Sequence, residues 1–128
     1  MKKSENETTV LSERGKVKGA GELVDRGLLV VLSENLFGTA FVIEKPEIVL
    51  GRHPSCDIVV EDPLVSKEHL RISAEGERIF FVEDLGSKNG TLINKKKVKK
   101  KTRLLYGDRL VTGNTIFRFF LEEKISKK

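Results

Sequence analysis

Between residues 68 and 84 the chain reads Glu68-His69-Leu70-Arg71-Ile72-Ser73-Ala74-Glu75-Gly76-Glu77-Arg78-Ile79-Phe80-Phe81-Val82-Glu83-Asp84. Successive side chains of an extended segment point to opposite faces, so Leu70 and Ile72 share one face while His69, Arg71 and Ser73 share the other. Glu75-Gly76-Glu77 breaks the run with turn chemistry, and a second apolar-rich run follows at Ile79–Asp84. A strand, a turn and a second strand therefore account for this region, and no helical period runs through it.

The same grammar extends in both directions. Leu28–Leu32 is an apolar run too short for a helix and rich in branched residues, which predicts a buried strand. Further strands are expected at Ala40–Glu44, Glu47–Leu50, Ile58–Val60, Thr91–Asn94, Arg109–Thr112 and Thr115–Leu121. In the last of these Phe117 and Phe119 face one way, and Ile116 and Arg118 the other. Turn signals separate the runs at Pro46, His53-Pro54-Ser55, Asp62-Pro63, Gly86–Gly90, Tyr106-Gly107-Asp108 and Gly113-Asn114. Many short strands with frequent turns and no convincing helix predict an all-β antiparallel sandwich or barrel. Residues 1–27 hold almost no sustained apolar pattern and are expected to form a flexible tail. One domain is expected over 28–121, with a charged tail or linker at 122–128.

Composition narrows the function classes. At 128 residues the chain is the size of one domain. No apolar run approaches the ~18–20 residues of a membrane-spanning helix, and no apolar segment follows the basic Met1-Lys2-Lys3, so neither a span nor a secretory signal is expected. One cysteine, Cys56, rules out an internal disulfide framework and fits a reducing, cytoplasmic setting. Tryptophan is absent and there is one tyrosine, which argues against base-stacking platforms for single-stranded nucleic acid. The net charge of +5 is local: seven of the 24 Lys and Arg lie between Lys95 and Arg103 with no acid among them, leaving 17 against 19 Asp and Glu elsewhere. That run reads either as a solvated hairpin whose lysines discourage edge-to-edge pairing or as an anionic docking patch. It is expected to turn at Lys95–Lys97, at the end of the sandwich away from the loops described next.

Three loops carry unusual chemistry. Gly51-Arg52 opens the first, where an arginine directly after a strand can project a planar five-donor fork. Ser66 and Lys67 set a hydroxyl beside an ammonium in the second. Ser87-Lys88-Asn89-Gly90 adds another lysine and an amide that both donates and accepts. Arg52, Ser66, Lys67, Lys88 and Asn89, brought together, would make a donor-rich cationic rim suited to the acceptor oxygens of a dianionic phosphoryl group. No Gly-x-Ser-x-Gly elbow surrounds Ser66, and neither a Walker loop nor Gly-x-Gly-x-x-Gly is present, so no enzyme is expected. His53, Cys56 and His69 lack paired ligand spacing, so neither a metal nor another cofactor is expected.

Gly51-Arg52, Ser66-Lys67-Glu68-His69 and Ser87-Lys88-Asn89-Gly90, followed by Gly107-Asp108-Arg109-Leu110, resemble the signature of the forkhead-associated (FHA) domain over roughly Leu28–Leu121. The resemblance implies a β-sandwich of about eleven strands that binds phosphothreonine peptides without catalysis. It implies that Arg52 and Ser66 hold the phosphate oxygens and that Asn89 bonds the peptide backbone, with Lys67 and Lys88 as auxiliary contacts. Gly51, His69 and Gly90 match mainly structural positions, His69 bracing the loops through its ring nitrogens. Asn94-Lys95 departs from the family's Asn-Gly, and a wider hairpin turn is expected there.

Glu5-Asn6-Glu7-Thr8-Thr9 resembles the tail of small bacterial FHA regulators in which a phosphorylated threonine is captured by the chain's own domain. Thr8 and Thr9 are therefore candidate sites of a Ser/Thr protein kinase, and capture would auto-inhibit the module. The 18 residues between Thr9 and Leu28 would span roughly 25 Å as a flexible chain, and tethering gives a millimolar-scale effective concentration. A cytoplasmic monomer is expected, with a phosphothreonine protein or its own tail as partner and no membrane. The alternatives are the sensor module of a larger signalling protein, such as a diguanylate cyclase, and, less favoured, a nucleic-acid binder using the lysine hairpin.

Overall fold

In the computed structural model, residues 26–122 are described. The N-terminal stretch with Thr8 and Thr9, and residues 123–128, lie outside the described residues. Eleven strands are found among those described: β1 (Arg26–Val31), β2 (Ala40–Ile43), β3 (Glu47–Gly51), β4 (Ile58–Val59), β5 (Leu70–Ala74), β6 (Phe80–Asp84), β7 (Thr91–Ile93), β8 (Lys96–Lys97), β9 (Thr102–Leu104), β10 (Arg109–Thr112) and β11 (Thr115–Glu122). They form a six-stranded sheet in the order β2-β1-β11-β10-β7-β8 and a five-stranded sheet in the order β4-β3-β5-β6-β9. Every pairing is antiparallel except β3 with β4, which is parallel.

The core comes from the alternation described above. Leu70 and Ile72 of β5, Phe80 and Val82 of β6, and Phe117 and Phe119 of β11 are all buried. The two sheets meet through Phe80 and Phe119, whose rings stand edge to face with centroids 5.3 Å apart. Such side chains contribute about 1.5–3 kcal/mol each on full burial. β1 alternates in the same way, with Leu29 and Val31 inward and Leu28 and Val30 half-buried, so the apolar run at its centre is buried on one face only. It begins at Arg26, two residues before the expected start. Gly27 belongs to it, paired with Leu121 and Ile43, and a Cβ there would lie 2.9 Å from the Phe119 ring.

Two strands, β8 and β9, fall inside the basic run where no alternation predicts them. They are the terminal strands of the two sheets, so the run crosses from one sheet to the other along a shared edge. Val98, between them, is its buried anchor. Edge strands need a ladder on one side only, and lysine is a common outer residue there. The β7–β8 connection is not wider than the family's Asn-Gly turn. Ile93 pairs with Lys96, leaving only Asn94 and Lys95 between the strands, with φ of 49° and 74°. Positive φ at both positions is the signature of a tight type I′ hairpin, which here carries a lysine where glycine is favoured. No helix among the described residues is long and apolar enough to cross a membrane.

Candidate functional site

Strand order and direction bring the β3–β4, β4–β5, β6–β7 and β10–β11 connections to one end of the sandwich. The first two are stitched together by backbone bonds from Arg52 N to Ser66 O (3.0 Å) and His53 N to Lys67 O (3.2 Å). Gly51 makes this approach possible: a Cβ on it would lie 2.1 Å from the Lys67 carbonyl oxygen, well inside contact distance. The Cys56 thiol donates to that same carbonyl at 3.0 Å. Partial burial, with the Glu68 and Asp57 carboxylates, holds the thiol above its usual range, so Cys56 is a structural donor and not an activated nucleophile.

Arg52 is exposed, and its Nε donates to the Val65 carbonyl at 2.8 Å. That bond fixes the plane of the guanidinium and leaves its two terminal nitrogens without a hydrogen-bond partner among the described residues. Ser66 Oγ accepts from Lys88 N at 3.0 Å, which ties the β4–β5 loop to the β6–β7 loop and keeps the hydroxyl proton available. Asn89 Nδ2 donates to the Leu64 carbonyl at 2.9 Å, a second tie between those loops, so its Oδ1 is the free end. The ammonium groups of Lys67 and Lys88 are exposed and have no ion pair among the described residues. Arg52, Ser66, Lys67, Lys88 and Asn89 therefore belong to three loops that are hydrogen-bonded to one another.

His69, expected to share a strand face with Arg71 and Ser73, immediately precedes β5 and is completely buried. Ser66 N–H donates to its Nδ1 at 3.0 Å, so Nδ1 is unprotonated, and Nε2 then carries the proton and donates to the Gly90 carbonyl at 2.9 Å. One neutral imidazole thus spans the second and third loops. Three carboxylates that the sequence reading did not single out complete the support. Asp57 accepts from Val49 N and Lys45 Nζ, both at 2.8 Å. Asp62 accepts from Leu64 N, Asn114 N and Thr115 Oγ1 at 2.7–2.9 Å. Asp84 accepts from Gly86 N, Ser87 N, Ser87 Oγ and Thr91 Oγ1 at 2.6–3.0 Å. The signal available for the last was Asp84-Leu85-Gly86-Ser87, the spacing of an Asx turn.

One expectation about the basic run is corrected. The β7–β8 turn does lie at the far end, but Lys97 pairs with Leu92 and not with the turn. Its side chain runs back to the third loop, with Cε 3.3 Å and Nζ 3.9 Å from where a Cβ on Gly90 would sit. A lysine of the run therefore reaches the loop end of the molecule, because two residues of β8 carry the chain back past β7.

A family model described as the FHA domain matches residues 48–113, the span that contains all three loops. The chain belongs to the FHA domain family. Among its relatives, the glycogen accumulation regulator GarA of Mycolicibacterium smegmatis is 38% identical over 86 residues, covering 67% of this chain and 53% of the relative. FhaB of Mycobacterium tuberculosis, an FHA domain-containing protein, is 31% identical over 106 residues, covering 82% and 68%. The chain spans about half the length of several of the curated relatives it matches. The solved FHA domain of the CT664 protein from Chlamydia trachomatis superposes with a TM-score of 0.69 at 31% identity, covering 74% of this chain and 96% of that one. The FHA sandwich with its loop-borne signature is thus a property of this chain.

Proposed function

We propose that this FHA domain is a non-catalytic signalling module that binds phosphothreonine-bearing protein segments at the loop end of the sandwich. Arg52 and Ser66 take the phosphate oxygens, Asn89 meets the peptide backbone through Oδ1, and Lys67 and Lys88 add positive charge at the rim. Gly51, His69 and Gly90 hold the loops in place. The observation that carries this reading is the oriented Arg52 fork, anchored by Nε and open at both terminal nitrogens, beside a loop that presents Ser66. Charge-assisted bonds of this kind contribute about 1.5–3 kcal/mol each, which is enough to separate a phosphorylated from an unphosphorylated peptide.

In this reading the module is a cytoplasmic monomer that acts downstream of a Ser/Thr protein kinase and regulates the protein it captures. Phosphorylation of its own Thr8 or Thr9 supplies a competing ligand in cis. The test is titration of a fluorescent phosphothreonine peptide and its threonine counterpart into the wild-type chain and Arg52→Ala. The wild type should bind the phosphopeptide alone, and Arg52→Ala should weaken it at least about a hundredfold, on the loss of two charge-assisted bonds, with unchanged thermal unfolding. Normal binding by folded Arg52→Ala refutes the site. For the tail, chain phosphorylated at Thr8 or Thr9 should bind the external peptide more weakly than unmodified chain, and equal affinity removes the auto-inhibition.

A further inference from the structure

The fold divides the basic run into two parts. Lys95 occupies the far turn. The Lys101 ammonium is paired with Glu75 and stands 5.3 Å from the centroid of the Phe81 ring. Lys97 goes the other way. Leu92 and Lys97 are opposite one another in the β7–β8 ladder, and Gly90 immediately precedes β7, within reach of the Lys97 side chain. The Lys97 side chain therefore lies along the outer face of the six-stranded sheet and reaches the third loop at Gly90. Its ammonium has no ion pair among the described residues, and it is exposed.

Resting on the phosphothreonine reading, we propose that Lys97 forms an anion subsite for a Glu or Asp in the segment flanking the bound phosphothreonine. A peptide whose backbone meets Asn89 has Gly90 as its next neighbour, and Lys97 is the side chain laid against Gly90. The lysine stem rests close against this position, its Cε 3.3 Å from where a Cβ on Gly90 would sit. The occupant is an acidic peptide, not a nucleic-acid backbone. A duplex needs a track of many phosphate contacts, whereas β8 is two residues long and Lys101 is already engaged. The chain's own Glu5 and Glu7, directly before Thr8 and Thr9, show the charge pattern such a subsite would favour.

The experiment compares two phosphothreonine peptides, one flanked by glutamates and one by glutamines, on the full chain at low salt. The glutamate peptide should bind roughly two- to fivefold tighter, the scale of one or two exposed ion pairs, and the gain should shrink as salt screens it. Lys97→Ala should bring the ratio of the two affinities close to one. Lys96→Ala removes the same charge one residue away on the opposite strand face, and it should keep the wild-type ratio. The proposal is overturned if the wild type does not discriminate, if Lys97→Ala keeps the preference, if Lys96→Ala abolishes it equally, or if duplex DNA displaces the glutamate peptide in a Lys97-dependent way. Failure to bind either phosphopeptide removes the underlying phosphothreonine reading instead.

Discussion

His69 joins two of the three loops of the proposed site without reaching solvent. Its Nδ1 accepts from Ser66 N–H and its Nε2 donates to the Gly90 carbonyl, so His69→Ala leaves a half-buried donor and a half-buried acceptor unpaired and opens a cavity. The expected cost is about 2–4 kcal/mol, read as a lower urea midpoint at constant slope. Phosphopeptide affinity should fall with it, although the imidazole touches no ligand in the proposed site. Gly51 and His69 were both recognisable as signature residues, but their physical roles were not. Gly51 is needed because the Lys67 carbonyl would collide with any Cβ, and that neighbour lies 16 residues away in the sequence. The supporting aspartates were illegible for a similar reason: Asp62 gains its meaning from Asn114 and Thr115, more than 50 residues downstream.

Strand elements were readable where burial imposes a period and unreadable where it does not. β5, β6, β10 and β11 each alternate against the core, so side-chain chemistry announces them. β8 consists of two exposed lysines, and β9 of Thr102, Arg103 and Leu104 with only the last buried. Their pairing is dictated by the ladder beside them and by Val98, and two or three residues carry no period. The turn joining β7 to β8 yields a prediction of its own. Lys95 holds φ at 74°, a left-handed conformation that costs a residue with a Cβ about 1 kcal/mol and costs glycine almost nothing. Lys95→Gly should therefore stabilise the domain by about 0.5–1 kcal/mol, measured by chemical denaturation. Lys95→Ala removes the same charge and keeps the Cβ, so it should give no such gain. If the two variants gain equally, relief of lysine repulsion is the cause and not backbone strain.

Across the whole molecule, each loop of the proposed site is held to the sandwich by its own carboxylate: Asp57 for β3–β4, Asp62 for β4–β5 and Asp84 for β6–β7. The Lys45 hydrogen bond and the Val49 N–H lower Asp57. Burial pushes Asp62 and Asp84 up, but the hydroxyl and backbone donors aimed at them outweigh it. All three therefore titrate below the ordinary value of 3.8. A carboxylate whose value is lower in the folded than in the unfolded chain stabilises the fold above its unfolded value. That contribution disappears as pH falls through the folded value. Acid should thus weaken the loop end specifically below about pH 4. Phosphopeptide binding should begin to fall earlier, near pH 6, because the phosphate itself takes up a proton there. Asp84→Asn separates the two effects. The amide presents an NH2 group to donors that had faced a carboxylate oxygen, so at neutral pH the variant should be about 1–3 kcal/mol less stable. Between pH 5 and 3 it should lose less stability than the wild type, since the group whose protonation causes part of that loss is gone. Urea midpoints for both proteins across that range decide the point: parallel acid limbs would mean that Asp84 carries none of the acid sensitivity and that its hydrogen bonds survive protonation.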